Sequence, residues 1–318
     1  MNANTQFIYT PRSFKSFLER FNRKSHLFNS MGGQTREIIN ASLLLRNPRD
    51  RIVINDIRRA NVAFGICEWI QIMMCDDSLE TVMKYNKSIK KYSEDGKKIE
   101  GSYGSANGHT QPTQIQKCIQ RLFRDKNTRR AVFAIYRPQD TEREGLNTPC
   151  TISLQFLIRD DKLHMIVNMR SNDLIWGLTY DAFVFTMIQE YVCASLQRLG
   201  LHIELGQYFH NAASLHLYER HFNLEKELDP RTWNLTMAPM PEDFTSSKYE
   251  LAHLMECVRN VDNDEEFYAY FHHLKTEYGR NLALTCKAWY DRNDYEKAQE
   301  SYKQINDMTL CRSLRSWF

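Results

Sequence analysis

The chain has 318 residues, enough for one large domain or one domain plus an extension. Hydrophobic residues make up 42% and charged residues 25%, an ordinary globular balance, and 42 basic against 39 acidic side chains leave a net charge of +3. That is too even for a protein that coats nucleic acid, so no direct nucleic-acid binding is expected.

No apolar run approaches the roughly 18 residues of a membrane span. The opening "MNANTQFIYTPRSFKSF" has no uninterrupted apolar core of the signal-peptide kind. Eight cysteines, at 67, 75, 118, 150, 193, 257, 286 and 311, form no CxxC pair. In a chain of this length they read as reduced thiols, and the expectation is a cytoplasmic protein.

In chain order, residues 61–86 contain "ICEWIQIMMCDDSLETVMKYN", apolar at helical spacing, with Glu68 inside the apolar part. "KKYSEDGKKIEGSYGSANGHTQP" reads as loop. A second helix follows in "TQIQKCIQRLFRDK", then a strand in "NTRRAVFAIYRP". "TISLQFLIRDDKLHMIVNMR" alternates as a β-hairpin with one buried face: Ile152, Leu154, Phe156 and Ile158 on one strand, Leu163, Met165, Val167 and Met169 on the other, with "RDDK" as the turn. "YDAFVFTMIQEYVCASLQRLG" carries a helical stripe through Phe183, Met187 and Tyr191, with Gly200 as its stop. This mixture has no regular βαβ rhythm and no G-x-G-x-x-G, which argues against a dinucleotide-binding domain. From about residue 245 onward only short amphipathic helices are expected, the first opened by Ser247 and Glu250 at capping-box spacing. The division is thus a catalytic domain over 1–244 and a helical extension packed on it over 245–318.

Several residues invite chemistry. Cys150 lies between Pro149 and the hairpin strand, where a cysteine is usually a small buried hydrophobe. Arg129, Arg130 and Arg170 change that weighing: converging guanidiniums would hold a phosphate by forked hydrogen bonds and favour a nearby thiolate. The bland alternative leaves Arg129 and Arg130 on a solvated strand edge. Glu68, if it points inward, should be held protonated by desolvation and suited to proton transfer. His210, His216 and His221 have no zinc-ligand spacing, and no metal is expected. His216 and Tyr218, two apart, would share a strand face and suit a sugar hydroxyl.

Taken in order, "SYG", "NTRRAVFAIYRP", "PCTISLQF", "NMRSND…GLTYDAF" and "SLHLYERHF" resemble the thymidylate synthase superfamily, and within it the phage-type deoxycytidylate hydroxymethylases most. The likeness runs from about residue 35 to about residue 222. It implies an α/β (α+β) fold of thymidylate synthase type, with mixed twisted sheets and long packed helices, plus the helical C-terminal extension. It also implies a homodimer in which Arg129 and Arg130 reach the partner's phosphate, beside Arg170 and Ser171 of the same subunit. Cys150 matches the thiolate that adds to pyrimidine carbon 6. Glu68 matches the carboxyl that moves protons, and Tyr103 the tyrosine assisting proton removal at carbon 5. His216 and Tyr218 match the residues holding the sugar 3′-hydroxyl. Asn172 and Asp173 lie in the signature, Asp173 near pyrimidine and folate. The resemblance also implies Trp69 and Gly177 at the folate, and Arg36, in "SMGGQTREI", near a phosphate-binding glycine-rich loop.

The co-substrate so implied is 5,10-methylenetetrahydrofolate. Thymidylate synthases carry asparagine at the position of Asp181; the hydroxymethylases carry aspartate. A carboxyl group can accept from the cytosine amino group and, when it holds a proton, donate to the ring nitrogen. The expectation is therefore 5-hydroxymethylation of dCMP, favoured over CMP, with water completing the reaction. The absence of a tryptophan-rich segment before "SYG" agrees with hydration rather than reduction. The alternatives are a CMP hydroxymethylase, methylation of dUMP, and a nucleotide-binding scaffold without turnover.

Overall fold

The computed structural model of the chain describes residues 5–30, 33–108, 111–142, 147–231, 233 and 235–318. Met31 and Gly32 of the expected glycine-rich loop, and His109 and Thr110 of the polar loop, lie outside them. β1 (Thr5–Ile8) leads into α1 (Phe14–Lys24), β2 (His26–Ser30) and the 13-residue β3 (Gly33–Leu45). Helical spacing puts Phe14, Phe17, Leu18 and Phe21 on the buried side of α1. β3 does not advertise itself in the sequence: Ile39 and Asn40 are both exposed, and Asn40 takes a left-handed φ of 57°.

The single helical pattern expected over 61–86 is two helices, α2 (Val62–Met74) and α3 (Leu79–Met83). Asn61 caps α2 by accepting from the Phe64 N–H, and Cys75 ends it in the left-handed region at φ 58°. α4 (Tyr103–Asn107) follows within the expected loop, then α5 (Gln114–Arg124), opened by a Thr113–Gln116 capping box. The strand expected across residues 127–138 shrinks to β4 (Val132–Ala134). The Gln114 side chain bonds both the N–H and the carbonyl of Ala134, standing in for a further strand at this edge.

β5 (Thr151–Arg159) and β6 (Lys162–Met169) form the expected hairpin, with Asp160 and Asp161 both at φ 51° in its turn. The buried face is as expected except at its start. A register shift between Thr151 and Ser153 buries Thr151 completely and leaves Ile152 42% exposed. Next come the two-residue β7 (Asn172–Asp173), the long α6 (Leu178–Arg198) and β8 (Glu204–Tyr218). Strand order is β1-β3-β8-β6-β5-β4, with β2 beside β3 and β7 beside β8. β8 runs antiparallel to β3 and parallel to β6, so the sheet is mixed.

The remaining helices are α7 (Leu224–Glu227), α8 (Lys248–Arg259), α9 (Asp264–Phe271), α10 (Glu277–Tyr290), α11 (Tyr295–Tyr302) and α12 (Met308–Leu314). Ser247 does cap α8, but Glu250 does not complete the box. Its carboxylate instead accepts from the Lys275 and Thr276 N–H groups and the Thr276 hydroxyl, ahead of α10. Leu282, Cys286 and Trp289 of α10 belong to the same apolar core as Ile66 and Ile70 of α2, so residues after 244 support the far side of the helix that carries Glu68. Among the described residues no helix is long and apolar enough to cross a membrane.

Candidate active site

The hairpin ends create the setting of Cys150. The Arg170 N–H bonds the Cys150 carbonyl at 2.9 Å, closing the base of the hairpin. The Arg170 guanidinium donates to the carbonyls of Pro149 and Thr148 at 3.0 and 2.9 Å, and its Nη2 lies 3.7 Å from Cys150 Sγ. One cation therefore organises both loop and sulfur. Burial nevertheless raises the thiol above its ordinary value; Arg170 opposes that and Asp181 adds to it. Within one chain, Arg170 is the guanidinium that opposes the burial of this sulfur. Arg129 and Arg130 are exposed at the approach to β4 and are not part of this arrangement.

Next to Cys150, the Thr151 hydroxyl donates to Tyr103 Oη at 2.9 Å. Tyr103 stacks on Phe185 with ring centroids 6.0 Å apart, and burial pushes its phenol well up. With Glu68 of α2 and Asp181 of α6 it lines a cavity of about 190 Å³. Glu68 does point inward: burial, then the neighbouring Asp181, raise it to about 8. Burial likewise raises Asp181 to about 7, with Asn172 opposing and Asp173 adding. Near pH 7 Glu68 is thus largely a neutral acid while Asp181 stands close to half protonated, and each can donate a proton from its protonated state. Gly65 permits this approach of α2 to α6, since a Cβ there would stand 2.7 Å from the Phe183 ring.

Asn172 is 2% exposed and its Nδ2 donates to Asp181 Oδ2 at 2.7 Å. Asp173 Oδ1 accepts from the Ile175 N–H at 2.8 Å, shaping the turn into α6. His216 and Tyr218 share a face of β8 as expected, their rings edge to face at 5.0 Å. Burial lowers His216 while Asp173 opposes. Ser171 is half-buried between β6 and β7. Arg36 lies on β3 over the Phe222 ring at 5.2 Å, away from the cavity wall.

Two of the residues expected at the folate are engaged in packing. Trp69 is fully buried and stacked on Phe244, on the side of α2 turned to the core. At Gly177 the chain is pressed so close that a Cβ would fall 2.7 Å from the Asp173 carbonyl oxygen and 2.8 Å from Asn172 Nδ2. The sequence pattern did not reveal the exposed Trp176, whose Nε1 donates to His221 at 3.3 Å and whose ring lies over the Arg58 guanidinium at 4.5 Å. Nor did it reveal the apolar wall of the cavity, Ile72, Val82, Ile89, Tyr92 and Ile99, part of which comes from the segment expected to be polar loop.

The chain is thus a mixed α/β fold with a carboxyl-lined cavity, Glu68 of α2 and Asp181 of α6 in its wall. The family described as Thymidylate synthase matches residues 25–254, and the chain belongs to it. The chain is 32% identical over 180 residues to the deoxyuridylate hydroxymethyltransferase of Pseudomonas phage M6, covering 55% of this chain and 50% of that protein. It is 26% identical over 231 residues to the enzyme of the same name from Bacillus phage SP01, covering 67% and 59%. It is 25% identical over 204 residues to the thymidylate synthase of Bacillus mojavensis, covering 62% and 66%. The chain therefore spans about half to two thirds of these relatives' length. The thermostable thymidylate synthase A of Bacillus subtilis shares the fold at a TM-score of 0.59 and 20% identity, over 76% of this chain and 91% of that one.

Proposed function

We propose that this chain transfers a one-carbon unit to carbon 5 of a pyrimidine deoxynucleotide, with Cys150 as the nucleophile at carbon 6. The observation that carries the reading is a cavity lined by Tyr103, Glu68 and Asp181, with the Arg170–Cys150 pair joined to its wall through the Thr151–Tyr103 hydrogen bond. Carbon 5 is a weak nucleophile until a thiolate adds across the ring. Arg170 opposes the burial of the Cys150 sulfur and so eases loss of its proton as attack begins. Glu68, protonated near neutrality, delivers a proton to the ring as charge builds there. Tyr103 keeps its proton, so it acts as a hydrogen-bond link rather than as a base.

When bound, 5,10-methylenetetrahydrofolate supplies the carbon. The apolar wall of Ile72, Val82, Ile89, Tyr92 and Ile99, adjoining Tyr103 and Glu68, fits a flat ring system of that kind. Exposed Ile39, Val132 and Ile152 on the sheet support pairing with a second copy, which would bring Arg129 and Arg130 to a phosphate.

The names of the two phage relatives favour a hydroxymethyl product and, between the bases, deoxyuridylate over the cytidine nucleotide expected from Asp181. The Asp181 carboxyl, when it holds its proton, is compatible with this, because it can donate to the uracil 4-oxygen and accept from the ring N–H. Deoxycytidylate remains the second reading, favoured by a carboxyl where thymidylate synthases have asparagine. Incubating the protein with dUMP, dCMP or CMP and the folate, then weighing the nucleotides, tests both. Gain of CH2O on dUMP supports the leading reading, and the same gain on dCMP the second. Gain of CH2 with dihydrofolate formation would replace hydroxymethylation by methylation, and no change on any nucleotide would refute transfer.

A further inference from the structure

A buried relay stands behind Asp181. Tyr208 Oη lies 2.7 Å from His210 Nδ1, His210 Nε2 lies 3.1 Å from Asn172 Oδ1, and Asn172 Nδ2 lies 2.7 Å from Asp181 Oδ2. Tyr208, His210 and Asn172 are 1%, 0% and 2% exposed. The members come from three elements, β8, β7 and α6, so their alignment is a product of the fold. We propose that Tyr208 and His210 are positioning residues for base selection, fixing through Asn172 which oxygen of Asp181 accepts and which carries the proton. This rests on the reading that Asp181 faces positions 3 and 4 of the pyrimidine.

Each link has one direction. Burial holds His210 at about 3, so its ring is neutral, with one N–H and one acceptor nitrogen. The buried Tyr208 hydroxyl keeps its proton. It donates to Nδ1, since the reverse arrangement would leave that O–H without an acceptor among the described residues. His210 Nε2–H then donates to Asn172 Oδ1, and the amide turns its nitrogen to Asp181. Asp181 Oδ2 is thereby held as an acceptor, and the proton of the neutral acid goes to Oδ1. Gly177 leaves the room: a Cβ there would stand 2.8 Å from Asn172 Nδ2.

The polarity matters because a neutral carboxyl alone discriminates poorly. With its proton free to move between the two oxygens it satisfies the donor–acceptor pair of cytosine or the reversed pair of uracil. With the proton fixed, one base pairs fully and the other meets a mismatched buried pair, about a 5- to 150-fold difference in affinity. Selectivity then resides in the relay as much as in the acid.

The test is titration calorimetry of the full chain with deoxycytidylate and deoxyuridylate, read as the ratio of their dissociation constants. Tyr208→Phe removes the first donor and keeps the ring; His210→Phe removes the middle link; Asp181→Asn is the control. The relay predicts that both first variants bring the ratio at least about 5-fold closer to one, with the weaker nucleotide gaining relative to the stronger. An unchanged ratio in Tyr208→Phe, including one where both affinities fall together, overturns the relay if Asp181→Asn alters the ratio. Should Asp181→Asn leave the ratio untouched too, or neither nucleotide bind the unmodified protein, the placement of Asp181 at the base fails with it.

Discussion

Glu68→Gln isolates the energetic cost of the carboxyl-lined cavity. Burial and the neighbouring Asp181 carry Glu68 from 4.5 to about 8. In the unfolded chain it titrates near its ordinary value, so the folded state holds a proton that the unfolded state has released across the interval between. Stability from this group is fully present below about pH 4.5 and is lost as pH rises through about 8. At about 1.4 kcal/mol per pH unit the whole displacement corresponds to about 5 kcal/mol. The carboxyl opens onto the cavity and shares its repulsion with Asp181, which leaves about 1–2 kcal/mol to be measured. Glutamine keeps the shape and does not titrate. The difference in melting temperature between Glu68→Gln and the parent protein should therefore be small near pH 5 and grow to roughly 2–5 °C in the variant's favour by about pH 8.5. Calorimetric melts at several pH values read this directly. A difference that stays constant with pH would refute the claim that a neutral carboxyl is folded into this site.

Three further outcomes follow from the same geometry. Alkylation of Cys150 by iodoacetamide, followed by peptide mass mapping, should rise about tenfold per unit between about pH 7 and 9, because burial keeps the thiol above its ordinary value. Arg170→Ala should slow it further at any one pH, and a plateau below about pH 8 would contradict both. On the deoxycytidylate reading, Asp181→Asn should shift relative turnover towards uracil nucleotides by about 5- to 150-fold in kcat/KM, and an unmoved ratio would remove Asp181 from selection for cytosine. Gly177→Ala places a methyl group 2.7 Å from the Asp173 carbonyl oxygen, and should cost about 1–3 kcal/mol in denaturant unfolding; an unchanged midpoint would show that the turn has slack.

The hairpin and α6 were legible because each buries one periodic face, and Glu68 stood out as a charge inside an apolar helical run. What escaped the sequence depends on contacts between distant segments. Ile152 reads as the first residue of the buried face, yet the bulge beside Cys150 exposes it and turns Thr151 inward to reach Tyr103. Glu250 stands at capping-box spacing, but serves the N-terminus of α10 instead. Trp69, expected at the folate from the resemblance, is fully buried and stacked on Phe244, a contact between distant segments that the sequence does not show. His210 carried no ligand spacing; its meaning emerges only when β8 sets it between Tyr208 and Asn172. β3 was hidden by the exposed Ile39–Asn40 pair in mid-strand.

The central claim is that the Cys150 sulfur activates carbon 5 of a pyrimidine ring. The measurement that meets it most directly is tritium release from dUMP and dCMP labelled at carbon 5, with the folate present, for the parent protein and Cys150→Ser. The account predicts release from at least one nucleotide by the parent and none above background by the variant, which should still bind that nucleotide. Equal release by both proteins, or nucleotide binding by the parent with no release at all, would contradict it.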